Sequence, residues 1–404
     1  MTRSEFFDLV GREEVQRLAR ASGTPAYLYF LRVVRKRHAD LVGCLPRRFD
    51  VYYAVKANPH PGLLRELGSM GIGADVASIG ELEAAISQGI PPGRVEFSGP
   101  GKTESEIAKA IQHGVSSINA ESLAELEIIA RASVREGRIA QVGIRLNPGV
   151  APTQAGLRMS GATQFGIQAA NLEQALRFIR SNDRALRFTG LHVHTGSQIL
   201  SSEAVAENFR SILELALLSE DLGLLPLQKI NFGGGWGISY FPHQAPLDLA
   251  DLSSRLADLF NDSRYASLKT ARHIVEPGRF LVGESGVYVT TVLYRKPGAR
   301  REFLIVDGGM HQHYLLAGGM GQVIRRNFEL DYFPVLDRPS RHGSSFDVAG
   351  CLCTPQDLLA TDVLAHCDVR PGDHIVFFNS GAYGLTASPL LFLGHRLAAE
   401  TALD

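Results

Sequence analysis

From Asp50 to Val275 the chain alternates between two hydrophobic periods. Eight short β-rich runs can be read: Asp50 to Val55, Gly73 to Ala77, Arg94 to Ser98, Ser116 to Ala120, Gln141 to Leu146, Phe188 to His194, Lys229 to Phe232 and Arg272 to Val275. Between them apolar residues fall three and four apart, as in Ile107 and Ile111 or Leu123, Leu126 and Ile129. The same helix-entry signal follows the second, third and fourth runs, as Ser78-Ile-Gly-Glu81, Thr103-Glu-Ser-Glu106 and Ser122-Leu-Ala-Glu125. In each, the hydroxyl is placed to cap a backbone N–H while the glutamate reaches back to the cap residue. Eight such alternations predict an α/β chain folded as a (β/α)8 TIM barrel, with its chemistry on the loops at the strands' C-terminal ends. After Arg279 the pattern changes. Strand-like runs at Val287 to Leu293, Phe303 to Val306, Phe346 to Ala349 and His374 to Phe378, broken by Gly, Pro and Asp, predict a C-terminal β-barrel or β-sandwich domain.

Polar residues collect where such a barrel would use them. Lys56 follows the first run, Asp75 and Ser78 end the second, and Arg145 sits late in the fifth. His194 and Ser197 end the sixth, Gly233 to Gly235 follow the seventh, and Glu276 follows the eighth. Most lysines are solvated surface charges, but Val51-Tyr-Tyr-Ala-Val-Lys-Ala-Asn58 delivers one amine to a strand's C-terminal end, a candidate Schiff-base former. Gly233, Gly234 and Gly235 let backbone N–H groups approach an anion, and Ser197, Arg279 and Tyr383 can add donors. A triple glycine is also an ordinary loop, and an acid before Pro277-Gly278 also begins turns.

Composition narrows the class. The chain has 404 residues, 45% hydrophobic and 21% charged, with a formal net charge of -1, which fits two globular domains and gives no electrostatic reason to expect nucleic acid or a membrane surface. An acid interrupts the first apolar stretch after Met1, and no segment reaches the uncharged length of a membrane span, so a cytoplasmic location is expected. Cys44, Cys351, Cys353 and Cys367 are too few and too irregularly spaced for a disulfide framework or a zinc site, and no metal is expected.

Taken in order, the Lys56 run, His192-Val-His194-Thr-Gly-Ser197, Gly233-Gly-Gly235, Glu276-Pro-Gly-Arg279, Cys353-Thr-Pro-Gln-Asp357 and Gly381-Ala-Tyr383 carry a resemblance over nearly the whole chain. They resemble the fold-type III pyridoxal-phosphate decarboxylases of the alanine-racemase-like barrel fold, which include ornithine and diaminopimelate decarboxylases. The resemblance implies pyridoxal 5'-phosphate as cofactor, a cofactor-binding barrel over residues 25–279, and a mainly β domain from residues 1–24 and 280–404 that contributes to a dimer active site. It implies cofactor contacts from Lys56, Asp75, Arg145, His194, Ser197, Gly233, Gly234, Gly235, Glu276, Gly278, Arg279 and Tyr383. Lys56, His194, Glu276 and Cys353 are the implied catalytic residues, and Arg279, Cys353, Thr354, Asp357 and Tyr383 the implied substrate contacts.

The implied roles differ in kind. Glu276 pairs with the pyridine nitrogen, where a racemase of this fold would place arginine, so Glu276 favours decarboxylation. His194 stacks on the cofactor ring; His192 points to the same face, and the His-x-Gly-Ser element selects His194. Cys353 reprotonates the α-carbon from the second subunit of a head-to-tail homodimer; Cys351 is its rival, and an aspartate four residues on, Asp357, selects Cys353. Asp75 and Arg145 either hold the lysine and its neighbours in register or pair with one another as an ordinary salt bridge.

Substrate choice departs from the best-known relatives. Ornithine and diaminopimelate decarboxylases have an acid directly after the cysteine to hold a distal ammonium, where this chain has Thr354. A buried cation without its partner costs on the order of 3 to 5 kcal/mol, which disfavours a basic substrate. The chain also has Thr163-Gln-Phe-Gly-Ile167 where diaminopimelate enzymes have Ser-Lys-Phe-Gly. Ser98 to Thr103, Met159 to Gly166, Val306 to His311 and Leu352 to Asp357 instead resemble a subgroup acting on tethered substrates. It includes the carrier-protein-bound L-glutamate decarboxylase of butirosin biosynthesis, exosortase-cluster decarboxylases and, more distantly, siderophore-precursor decarboxylases. The resemblance implies α-decarboxylation of an acidic or conjugated amino acid, such as a glutamyl thioester, with an acyl-carrier protein as partner. Gly318 to Arg326 fits an entrance for a long substrate arm or an ordinary surface loop. The alternatives are a decarboxylase of free diaminopimelate, ornithine or lysine, and a non-catalytic regulatory homologue, which would be expected to lose Lys56 or Cys353.

Overall fold

Three hydroxyl caps start the helices behind the second, third and fourth barrel strands. The computed structural model describes residues 1–46, 49–149, 157–241, 244–319, 326–335, 345–366 and 368–404. Ser78, Thr103 and Ser122 accept the N–H groups of Glu81, Glu106 and Glu125. Only Glu106 reaches back to its own cap residue. Glu81 takes the N–H of Ala77 and Glu125 that of Glu121, each at 2.7 Å and one residue earlier than expected. Ser78 and Ser122 are more extended than Thr103, with φ -154° and -155° against -76°, and this rotation changes which N–H faces the glutamate.

All eight expected barrel strands form, as Phe49–Ala54, Gly73–Val76, Val95–Phe97, Ser117–Ala120, Ala140–Asn147, Leu186–Val193, Lys229–Asn231 and Arg272–Val275. Each pairs in parallel with the next, and the last returns to the first through His273 opposite Phe49 and Val275 opposite Val51, which closes the barrel. Outside it, Phe209 and Phe260 on the helices Ser202–Asp221 and Leu249–Asn261 pack on Phe49 and Phe232, with Phe209 and Phe232 stacked at 4.6 Å. Burying each such ring contributes about 1.5–3 kcal/mol.

The barrel interior holds a polar network. Lys229 ion-pairs with fully buried Glu96, which also accepts from Asn119 at 3.0 Å and Asn231 at 2.9 Å. Gly143 leaves room for it, since a Cβ there would lie 2.3 Å from Asn119 Oδ1. Burial alone would raise the Glu96 carboxyl's pKa, yet Lys229 and the Asn119 hydrogen bond bring it below the usual value. Glu96→Ala leaves Lys229 buried and unpaired, and we expect a loss of about 3–5 kcal/mol in urea unfolding; wild-type stability in that variant would show that the pair is solvated.

The barrel unit comprises His38–Gly237 and Leu247–Gly278; a second unit comprises Met1–Arg37, Ile238–Pro246 and Arg279–Asp404. In the second, a curled mixed sheet runs Leu330–Phe333, His374–Phe377, Gly286–Lys296, Glu302–Val306, Ser345–Ala349, Leu358–Leu364. Ala26–Phe30, within the range expected for the barrel, belongs here: it pairs antiparallel with Gly286–Lys296 and parallel with Ala399–Leu403. These neighbours bury all five of its residues. The helices Arg3–Val10 and Arg12–Ser22 cover the sheet, Phe6, Val10 and Val15 joining Leu28, Phe30, Val287 and Phe378 in one core.

Candidate active site

The first barrel strand ends in a single 3-10 turn, Val55–Ala57, that carries Lys56 exposed between two buried neighbours. The turn is held by Asn58 N–H on the Val55 carbonyl at 3.0 Å and by Tyr53 Oη donating to the Asn58 carbonyl at 2.9 Å. Gly278 fits against it because a Cβ there would lie 2.9 Å from Ala57 Cβ and 3.2 Å from Ala54 Cβ. The segment after the eighth strand therefore packs directly on the turn that carries Lys56.

Glu276 is oriented from two sides. Asn231 Nδ2 donates to its Oε1 at 2.5 Å, and His192 Nε2 lies 3.0 Å from its Oε2. A Cβ on Gly234 would be 2.0 Å from the Glu276 carbonyl oxygen, so only glycine permits this approach. His194 Nδ1 accepts the Gly234 N–H at 3.2 Å. Burial first, then the charges of Lys56, Arg145 and His192, hold its pKa well below the usual histidine value, so the ring is neutral as that acceptor role requires. The Gly233 N–H is also engaged, by Asn231 Oδ1 at 2.9 Å. Of the three glycines, Gly235 alone lacks such a partner among the described residues, and Ser197 lies beside it, with Cα 3.6 Å from where a Gly235 Cβ would stand.

Asp75 ends the second strand buried, and its Oδ1 has no hydrogen-bond partner among the described residues. Its pKa is raised to about 7 by burial and then by the charge of Glu276, against the pull of Lys56 and His192. A carboxyl whose folded pKa exceeds its unfolded value favours the folded state below the unfolded pKa and loses that contribution as pH rises through the folded one. The cofactor-free protein is thus expected to lose stability from about pH 4 to pH 7, and Asp75→Asn to flatten the slope in thermal melts; an unchanged slope would assign the titration elsewhere. Arg145 pairs with buried Glu121 at 2.7 Å, not with Asp75, and lies 4.7 Å over the Phe165 ring. Glu121 also accepts the N–H groups of Gly99 at 2.8 Å and Gly166 at 3.1 Å, joining three loops at this end of the barrel.

An amine on a strand end, a carboxylate fixed by two partners, a neutral imidazole and a close-approach glycine turn fit pyridoxal phosphate: Lys56 for the aldehyde, Glu276 for the ring nitrogen, Ser197 and Gly235 for the phosphate. The family described as pyridoxal-dependent decarboxylase, pyridoxal binding domain, matches residues 31–283. The chain belongs to this family. It is similar to L-glutamyl-[BtrI acyl-carrier protein] decarboxylase of Niallia circulans, 36% identical over 96% of this chain and 90% of the relative. Diaminopimelate decarboxylase of Aquifex aeolicus is 32% identical over 93% and 85%. The crystal structure of diaminopimelate decarboxylase from Helicobacter pylori complexed with L-lysine shares 28% identity at a TM-score of 0.84, covering 96% of this chain and 94% of that one. The chain is a pyridoxal-phosphate-dependent amino-acid decarboxylase. No helix among the described residues is long and apolar enough to cross a membrane.

The remaining expected residues of the decarboxylase lie in the mixed-sheet unit. Arg279 Nη1 hydrogen-bonds Tyr240 Oη at 2.5 Å, and its guanidinium lies 4.6 Å over the Tyr383 ring. Tyr383 is held at φ 54°, a left-handed conformation costly for a bulky residue and common at functional sites. Cys353 is exposed. Cys351 is half-buried, its thiol pushed up to about 11 by burial and then by Asp357. Asp357 is buried, with Oδ1 accepting the Met310 N–H at 2.6 Å and Oδ2 the Leu352 N–H at 2.7 Å. It shapes the cysteine loop, and neither oxygen faces outward. Thr354 Oγ1 accepts the Gln356 N–H at 3.4 Å within the same turn. Met320 to Arg325 of the glycine-rich stretch, and Cys367, lie outside the described residues. His192, Asn231, Glu96 and Glu121 were not among the expected contacts. His192 shows a signal, since it lies one pleat repeat before His194 on the same face.

Proposed function

We propose that the decarboxylase acts on an acidic amino acid carried as a thioester, with L-glutamyl acyl-carrier protein as the best-fitting substrate. The observation behind this reading is the cysteine loop. Its sole carboxylate from Cys351 to Asp357 is Asp357, and both of that group's oxygens are occupied by backbone N–H groups, while Thr354 stands where a basic substrate needs an acid. A distal ammonium would find no outward-facing carboxylate in that loop. The similarity to a decarboxylase of an L-glutamyl carrier protein supports the same choice.

Lys56 would hold the cofactor through its amine. When bound, pyridoxal phosphate supplies the ring that takes up the electron pair left by departing CO2. Glu276, held by Asn231 and His192, would keep a proton on the ring nitrogen. Neutral His194 would lie against the ring, and Ser197 and the Gly235 N–H would donate to the phosphate. In a head-to-tail homodimer, Cys353 from the other subunit returns the proton to the α-carbon. Cys353→Ala is accordingly expected to permit CO2 loss but to misplace or delay reprotonation, read as altered deuterium incorporation in heavy water; Cys351→Ala should retain the wild-type deuterium pattern. The reverse result would move the proton donor two residues upstream.

The deciding experiment is CO2 release by the purified, cofactor-loaded enzyme from free diaminopimelate, ornithine, lysine and glutamate and from a γ-glutamyl pantetheine thioester. Selective turnover of the thioester supports the tethered substrate. Turnover of a free diamino acid would overturn the argument from Thr354.

A further inference from the structure

We propose that His311, Cys351 and His395 form a binding site for one zinc-class divalent ion in the mixed-sheet unit. Their ligand atoms lie within 4.8 Å of one another, with Cys351 Sγ 3.9 Å from His395 Nδ1 and the two imidazole centroids 5.1 Å apart. In a tetrahedral site, with Zn–N of about 2.0–2.1 Å and Zn–S of about 2.3 Å, neighbouring ligand atoms stand roughly 3.3–3.7 Å apart. Closing the present triangle needs side-chain movement on the order of 1 Å.

An independent observation points to a ligand. His311 is 1% exposed, yet neither of its ring nitrogens has a hydrogen-bond partner among the described residues. Folded proteins seldom bury a fully unpaired imidazole, and a metal ion is one of the groups that resolves it.

The backbone brings the ligands together from three separate segments. His311 follows the strand Glu302–Val306 and Cys351 follows its parallel neighbour Ser345–Ala349, so the two post-strand turns lie side by side, tied by Cys351 N–H on the Gly308 carbonyl at 3.0 Å. His395 comes from the turn after Phe392–Gly394, which Gln312 Nε2 pins through the Arg396 carbonyl at 2.7 Å. This is why cysteine spacing alone shows no zinc pattern.

Two imidazole nitrogens and one thiolate match the ligand preference of zinc and leave a fourth position for water. On binding, the Cys351 thiol releases its proton to solvent and the sulfur joins the metal as thiolate. The ion would lock the turn two residues before Cys353 to the 392–396 segment. Occupancy would therefore rigidify the loop that carries Cys353.

The test uses the untagged, full-length, cofactor-loaded enzyme, incubated with Zn2+, gel-filtered and analysed for zinc, with affinity measured by competition against a chromogenic chelator. About one zinc per chain is expected, with affinity reduced more than about tenfold in both Cys351→Ser and His395→Ala. His395 is exposed, so its variant keeps the test valid should Cys351→Ser fold poorly. Co2+ should give tetrahedral ligand-field bands that Cys351→Ser removes. The site is overturned if wild-type protein holds no zinc against the chelator, if His395→Ala holds it as tightly as wild type, or if the bound cobalt is octahedral.

Discussion

Lys56→Ala is expected to reduce CO2 release to background and to remove the cofactor's visible absorption on desalting. Lys56 is exposed on its turn, whereas Val55 and Ala57 beside it are buried, and the turn's hydrogen bonds come from Tyr53 and the Asn58 backbone. Bound cofactor itself stabilises the fold, so the two proteins are compared cofactor-free, where removing this exposed side chain is expected to cost little and the melting temperatures should lie close together. A loss of colour and turnover at unchanged melting temperature then isolates the amine's chemistry from the fold. Retained colour and turnover in the desalted variant would sink the assignment of Lys56 and transfer the search to another lysine.

The barrel was legible because each element is written locally. Buried parallel strands read as continuous apolar runs, and the cap residues Ser78, Thr103 and Ser122 mark the helix starts, so sequence alone places the strands to within two residues. Lys56, His194, Gly234 and Glu276 were legible for a related reason: each sits in a short run at a strand end. What holds them was not. Glu96, Lys229 and Asn231 come from two strands more than a hundred residues apart and meet only when the barrel closes. Arg145 finds Glu121 across adjacent strand ends, and nothing in the intervening sequence marks that pair over Asp75. Ala26–Phe30 shows the limit of periodicity: an apolar run reports burial on both faces but not which sheet buries it. Ala399–Leu403 has no buried residue in its strand, which left no apolar pattern to read.

Glu276→Gln is expected to lower kcat by about 100- to 1,000-fold, the range for removing one electrostatic stabiliser of developing charge, with a much smaller effect on KM. The substitution preserves size and changes charge. Wild-type Glu276 receives Asn231 Nδ2 on one oxygen and faces His192 Nε2 with the other, so a glutamine can keep its carbonyl toward Asn231 and turn its amide toward His192. His192 can accept that amide by moving its proton to Nδ1, which is buried without a partner among the described residues. The geometry thus survives while the proton on the ring nitrogen loses its counter-charge. The same change acts on a second reporter. Glu276 is the largest source of negative charge raising the Asp75 pKa, so in the cofactor-free variant Asp75 should ionise at a lower pH and the pH-dependent loss of stability should shift the same way. A large fall in kcat with that shift identifies the charge of Glu276 as the working element. Unchanged kcat with the shift present would show that the carboxylate is where the structure places it but that decarboxylation does not depend on it.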